Sequence, residues 1–159
     1  IIDLIRAREG AEGKEAETPF IAFEFYPPRT DDGVANLYSR LTRLAKQEPL
    51  YVDFTWGAGG STSDLSLELA VESKKRNGLE ANMHLTCTNM PTEKLTAALE
   101  GCTKGAVDNI VALRGDPPAG AKEWTQGDGA FSCALDLVRY IRDKHGDRFG
   151  ISVAGYPEG

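Results

Sequence analysis

The sequence is short of cysteine and lacks glycosylation sequons, long apolar runs and any excess of basic charge. Each shortage removes a class of protein. Its three cysteines, Cys87, Cys102 and Cys133, are scattered and cannot close a set of disulfides. With no Asn-x-Ser/Thr sequon either, a reducing, cytoplasmic setting is expected. No apolar stretch approaches the roughly 20 residues that cross a bilayer, so no membrane partner is expected. Basic residues number 18 against 24 acidic ones, a formal charge of −6. A nucleic-acid partner would require clustered positive charge to neutralise phosphates, and it is excluded on that ground. What remains is a chain of 159 residues, 41% hydrophobic and 26% charged, the composition of one globular domain. Beginning at Ile1 rather than at methionine and stopping at Gly159 after a strand-like segment, it reads as a piece of a longer polypeptide.

Residues 1–18 are charged and glycine-spotted, with Ile1, Ile2, Leu4 and Ile5 as their apolar anchors, and read as an extension or a short helix. From Pro19 onward, β-type runs fall at Phe20–Tyr26, Leu50–Trp56, Glu80–Thr86, Val107–Leu113 and Gly150–Ala154. Helical spacing fills the gaps. Val34, Leu37, Leu41 and Leu44 make one apolar face, with Thr30, Asp31 and Asp32 in front as caps. A second helix is expected after Ser61, where Asp64 completes a partial capping box, and a third opens at Pro91. The fourth uses Phe131, Leu135, Val138 and Ile141 and ends in Arg142, Lys144 and Gly146. Such alternation specifies an α/β fold of parallel, right-handed βα units. It leaves two architectures open: a doubly wound sheet, or the first five strands of a (β/α)8 barrel, which takes about 250 residues when whole.

Strands buried on both faces should be apolar on both. These are not. Alternation puts Glu24 opposite Phe23 and Phe25, Asp53 and Thr55 opposite Val52 and Phe54, and Asn82, His84 and Thr86 opposite Met83 and Leu85. A polar lining repeated on three neighbouring strands suits a ligand or water-filled site, or else a self-satisfied network inside a barrel. Glu24, Thr55, His84 and Thr86 lie at strand C-terminal ends and Asp116 follows the fourth strand, where βα folds gather their catalytic groups. The connection from Arg114 to Gly129 is long beside the usual 2–6 residues, as binding loops often are.

The stretch Gly57-Ala58-Gly59-Gly60-Ser61-Thr62 invites a phosphate-cradle reading, but it matches neither the dinucleotide fingerprint nor the P-loop. Asp64 would repel a phosphate, and a tight turn is the better reading. His84 and Cys87 are three apart on a strand and point to opposite faces, so no metal site is expected. No cysteine reads as a nucleophile, since His84 and His145 are the only imidazoles and His145 sits where a helix ends.

Several segments together resemble one family. They are Phe23-Glu24-Phe25-Tyr26-Pro27-Pro28-Arg29, Thr55-Trp56-Gly57-Ala58-Gly59-Gly60, His84-Leu85-Thr86-Cys87, Ala112-Leu113-Arg114-Gly115-Asp116 and Val153-Ala154-Gly155-Tyr156-Pro157-Glu158. In this order, each at a strand end, they resemble the methylenetetrahydrofolate reductases, and Trp124 with the loop after Asp116 is similar to the eukaryotic branch. The resemblance implies that residues 19–159 are the N-terminal part of a flavin-binding βα barrel, about three βα units short of closure. It also implies noncovalent FAD, hydride from NADPH or NADH, and reduction of 5,10-methylenetetrahydrofolate to 5-methyltetrahydrofolate.

By position, Glu24 resembles the general acid that protonates the leaving nitrogen of the folate ring, and Asp116 the carboxylate that steadies the cationic iminium; both would touch substrate. Thr55, His84, Leu113, Arg114, Gly115, Asp116, Ala134, Ala154 and Tyr156 match positions that line the FAD, while Cys133 stands where some members have a flavin-contacting tyrosine. The eukaryotic likeness favours NADPH as donor, and homo-oligomers would form through regions outside this chain. Two other readings are a different flavin- or aldolase-type barrel enzyme and a non-catalytic βα binding module.

Overall fold

Alternation of side chains along short strands, with amphipathic helices between them, builds a single sheet with one apolar face. The computed structural model describes residues 1–8, 19–57, 62–87, 90–115 and 131–155. In chain order the elements are α1 (Ile2–Arg8), β1 (Ala22–Phe25), α2 (Asp31–Ala45), β2 (Tyr51–Phe54), α3 (Ser63–Asn77), β3 (Ala81–Thr86), α4 (Thr92–Lys104), β4 (Asn109–Leu113), α5 (Ala134–His145) and β5 (Gly150–Val153). All neighbouring strands pair in parallel, in the order β1-β2-β3-β4-β5.

That sequential order decides between the two architectures. A doubly wound sheet reverses its strand order at a switch point, and no reversal occurs here. The described strands make an open five-stranded arc of βα-barrel type, with β1 and β5 at its edges. One face carries Phe25, Val52, Phe54, Ala81, Met83, Leu85, Ile110 and Ala112, all buried. The helices cover this face with Leu37 and Leu41 of α2, Leu69 and Ala70 of α3, Leu95, Leu99 and Cys102 of α4, and Leu137 and Ile141 of α5. Each fully buried leucine or isoleucine contributes roughly 1.5–3 kcal/mol of transfer free energy. The apolar face therefore holds the sheet together, and the other face can carry polar side chains.

Caps set the helix limits. Thr30 accepts from the Gly33 N–H at 3.1 Å and starts α2, as its position suggests. Gly78 and Gly146 end α3 and α5 with φ of 65° and 55°, which side chains with a Cβ adopt at a cost.

Several expectations move. The first strand starts at Ala22, and Phe20 is exposed beside the Tyr51 ring. Helix α3 is capped at Thr62, one residue past the expected start, and Ser61 lies outside the described residues. Pro91 is the N-cap of α4 rather than its first residue. Helix α5 departs most. It begins at Ala134, so Phe131 packs as a buried residue ahead of it and Leu135 is 52% exposed. Shifting the start re-phases the helix, and its buried face becomes Leu137 and Ile141 with Val138 beside them. Of the first 18 residues, Ile2–Arg8 form α1, and residues 9–18 lie outside the described set.

Candidate functional site

The polar face of the sheet is ordered by register. Glu24 is level with Asp53, Asp53 with Asn82, Asn82 with Asn109, and Asn109 with Gly150. This row extends the polar lining one strand further than alternation had suggested, through Asn109. A Cβ on Gly150 would come within 2.9 Å of Asn109 Oδ1, so glycine leaves that amide its space. Asn109 donates from Nδ2 to Glu80 at 2.7 Å, and Lys74 holds the other oxygen of Glu80 at 3.0 Å.

In the middle of the row the side chains form a chain of contacts. Asn82 Nδ2 donates to Asp53 Oδ1 at 2.8 Å, and His84 Nε2 lies 3.2 Å from the same oxygen. The other ring nitrogen, Nδ1, is 3.9 Å from Glu24 Oε1. His84 and Asp53 are each 16% exposed, whereas the Glu24 side chain is 49% exposed. Alternation turns the aromatic sequence neighbours of Glu24 away from it. Phe23 and Phe25 serve the helix-side core instead, in contact with each other.

At the strand C-terminal ends, hydrogen bonds pin the connections. The Thr55 N–H donates to Phe25 O at 3.0 Å, and its hydroxyl lies 3.4 Å from the same carbonyl. Ser66 Oγ donates to Thr55 O at 2.8 Å, and Thr62 Oγ1 accepts from Gly57 N at 2.9 Å, tying the start of α3 to the end of β2. Residues 58–61 of the glycine-rich stretch, on which the tight-turn reading rests, lie outside the described residues. The Thr86 hydroxyl is buried without a hydrogen-bond partner among the described residues, as are Trp56 Nε1 and Asn82 Oδ1. Such groups cost roughly 1–3 kcal/mol each when left unpaired, so a polar ligand or water beside them is favoured.

A depression of about 330 Å³ opens next to the end of β4, lined by Ala112, Leu113, Arg114, Cys133, Ala134 and Ala154. Gly115, directly after it, has φ 93°. The start of α5 forms one wall. There Asp136 accepts from the Ser132 hydroxyl at 2.6 Å and from its N–H at 3.0 Å, and these bonds hold the Asp136 carboxyl below its usual range. Cys87 reaches toward Arg114 O at 3.7 Å, and burial pushes its thiol up to about 11. Burial likewise raises Cys102 to about 12, so both are poor nucleophiles at neutral pH. His84 turns to Asp53 while Cys87 turns to Arg114, and the two do not converge. Among the described residues no cluster of three or more metal-ligating side chains is present.

The sequence-derived residues therefore fall into two groups. Glu24 and His84 stand on the polar face, with Thr55 just past the end of β2. Leu113, Arg114, Ala134 and Ala154, drawn from β4, α5 and the end of β5, share one depression, with Gly115 beside it. Asp116 and Tyr156 lie outside the described residues, as do Trp124 and the loop around it. Sequence reasoning put Asp53 on the polar face without naming it a site residue; its position level with both Glu24 and Asn82 is set by register, which no single strand reveals. No helix among the described residues is long and apolar enough to cross a membrane.

Comparison with known proteins gives the lineage. The family model described as methylenetetrahydrofolate reductase matches residues 10–159. The chain is 54% identical over 145 residues to methylenetetrahydrofolate reductase (NADH) 1 of Arabidopsis thaliana, covering 91% of this chain and 24% of that protein. It is 53% identical over 137 residues to the Zea mays protein of the same name, covering 86% and 23% of the two chains. With methylenetetrahydrofolate reductase 2 of Saccharomyces cerevisiae it shares 48% identity over 142 residues, or 88% and 24%. The chain thus spans about a quarter of the length of these relatives. A family match over nearly the whole chain, on a parallel βα sheet whose strand ends carry the motifs, shows that this chain belongs to the methylenetetrahydrofolate reductase family.

Proposed function

We propose that this chain forms the acid-bearing part, and much of the flavin-binding wall, of an enzyme that reduces 5,10-methylenetetrahydrofolate to 5-methyltetrahydrofolate with hydride from NAD(P)H. The supporting observation is the shared depression. Leu113, Arg114, Ala134 and Ala154 come from three separate stretches of sequence and line one space. The five strands are then the first part of a (β/α)8 barrel whose remaining units belong to the rest of the protein.

The residues present suit FAD. Ala134 and Ala154 keep the depression open, Arg114 lines it, and the unpaired Thr86 hydroxyl, level with Leu113, offers a polar contact nearby on β3. Thr55, His84, Leu113, Arg114, Gly115, Asp116, Ala134, Ala154 and Tyr156 are the proposed contacts. When bound, FAD supplies the hydride relay between nicotinamide and folate. As to the donor, the plant relatives carry NADH in their names. This favours NADH for the present chain over the NADPH expected from the eukaryotic likeness.

Glu24 supplies the proton. Opening the imidazolidine ring breaks a carbon–nitrogen bond; the leaving nitrogen keeps the electron pair and takes the carboxyl proton. The other ring nitrogen shares its lone pair with the one-carbon unit, making a cationic iminium that hydride then converts to a methyl group. Asp116 is the proposed carboxylate that steadies the cation. Glu24 is open to solvent on one side and 3.9 Å from the His84 ring on the other, which lets it be reloaded with a proton after each turnover.

The test is anaerobic absorbance of the full-length protein with FAD, adding NADH or NADPH and then methylenetetrahydrofolate. Bleaching followed by recovery of the oxidised spectrum is expected. The Glu24→Gln variant should keep FAD but slow the recovery on the order of 10²-fold or more. Near-normal turnover in that variant would remove Glu24 from the reaction. A full-length protein that binds no flavin would favour a non-catalytic binding module.

A further inference from the structure

We infer that Asp53 is a positioning residue for Glu24, acting through His84; the inference rests on the role just proposed for Glu24. An ionised carboxylate only accepts hydrogen bonds. Asp53 Oδ1 receives Asn82 Nδ2 at 2.8 Å and faces His84 Nε2 at 3.2 Å, an arrangement that suits a neutral ring carrying its hydrogen on Nε2. The bare Nδ1 is then the atom turned to Glu24 Oε1, 3.9 Å away. At 3.9 Å no hydrogen bond is made; on closer approach a bare ring nitrogen accepts one from a carboxylic acid and offers nothing to a carboxylate. The ring therefore presents Glu24 with a partner suited to its proton-bearing form, the form that acid catalysis uses.

Three neighbouring strands contribute to this arrangement. Glu24 comes from β1, Asp53 from β2, and Asn82 and His84 from β3, two residues apart on one face. On the β4 side the residue level with His84 is Val111, which carries no charge. The carboxylates of Glu24 and Asp53 are thus the charged groups brought to the ring by the strands around it. Asn82 matters as well. By occupying Asp53 Oδ1 from one side it fixes the carboxylate orientation that the ring meets from the other.

The tautomer can be read directly. Histidine ¹⁵N spectra of the full-length holoenzyme should show His84 protonated at Nε2 and bare at Nδ1. Asp53→Asn presents an amide that can donate as well as accept, so it should mix or reverse the tautomer. In stopped-flow absorbance the same variant should slow flavin reoxidation by methylenetetrahydrofolate at least about 10-fold more than it slows bleaching by NADH. Asn82→Ala should produce a smaller loss in the same step. In a Glu24→Gln background, Asp53→Asn should add less than about 2-fold, because the two residues act as one unit.

A wild-type His84 protonated at Nδ1 overturns the inference outright, even if the Asp53 variant fails to fold. Equal slowing of both half-reactions, or losses that multiply in the double variant, would overturn it as well. If Glu24→Gln itself reoxidises normally, the proposed role of Glu24 fails instead, whatever the tautomer.

Discussion

Gly115 offers the sharpest test of how backbone shape serves the proposed flavin wall. Its φ of 93° lies in a region that residues with a Cβ rarely adopt, and it follows Leu113 and Arg114, which line the depression. Placing alanine there would strain the backbone by roughly 1–3 kcal/mol. If the bound form requires this φ and the free protein can relax away from it, the whole strain appears as lost affinity. At about 1.4 kcal/mol per tenfold, Gly115→Ala should weaken FAD binding by about 5- to 140-fold. If the free protein cannot relax, the same energy appears as a lower melting temperature of the apoprotein. Fluorescence titration of the full-length apoprotein with FAD, paired with thermal unfolding, separates the two cases. Asparagine tolerates positive φ better than alanine, so Gly115→Asn should lose less. An alanine variant that binds FAD as tightly as wild type and melts at the same temperature would refute the reasoning.

Two further predictions concern the scaffold. A Cβ on Gly105 would collide with Val71 Cγ2 and meet Val71 Cγ1 at 3.0 Å and Gly101 O at 3.2 Å. Rotation about one torsion cannot clear both valine methyls, so Gly105→Ala should destabilise the protein by about 1–3 kcal/mol in urea unfolding while leaving flavin absorbance intact; equal stability would count against that packing. Asp136 is held below the usual carboxylate range by the Ser132 hydroxyl and N–H. Its folded-state value is lowered, so its contribution is present above the unfolded value near 3.8 and is lost as pH falls through the lower folded value. Asp136→Asn should therefore melt below wild type near neutral pH, with the gap closing under acid conditions; a gap that stays constant with pH would show that the carboxylate charge is not what matters.

The two kinds of site residue were unequally visible in the sequence, for a physical reason. Alternation is a local property of one strand, and it separated Glu24, Asp53, Asn82 and His84 from the apolar partners beside them without any structure. Helical spacing likewise found the Leu37 and Leu41 face of α2. It misplaced α5 because Phe131 is apolar and sits four residues before Leu135, so the pattern ran on through a cap that Cys133 sets without a side-chain bond. The residues proposed to line the FAD came from family likeness; that four of them share a depression depends on β4, α5 and β5 meeting, which spacing does not encode.

Asp53 is the instructive case. Its polarity and its face were readable, but its partners are set by register, the alignment of Asp53 with Glu24 on one side and Asn82 on the other. Register in a parallel sheet is fixed by how the helices pack on the opposite face. The buried pair Phe25 and Phe54, level on β1 and β2 with rings 5.9 Å apart, belongs to the same register that brings Glu24 level with Asp53. The core contributes to the chemistry in this sense. A slip of one residue between β1 and β2 would bury Glu24 among the helices and take it away from His84. The same apolar contacts that stabilise the fold also hold Glu24, His84 and Asp53 close together.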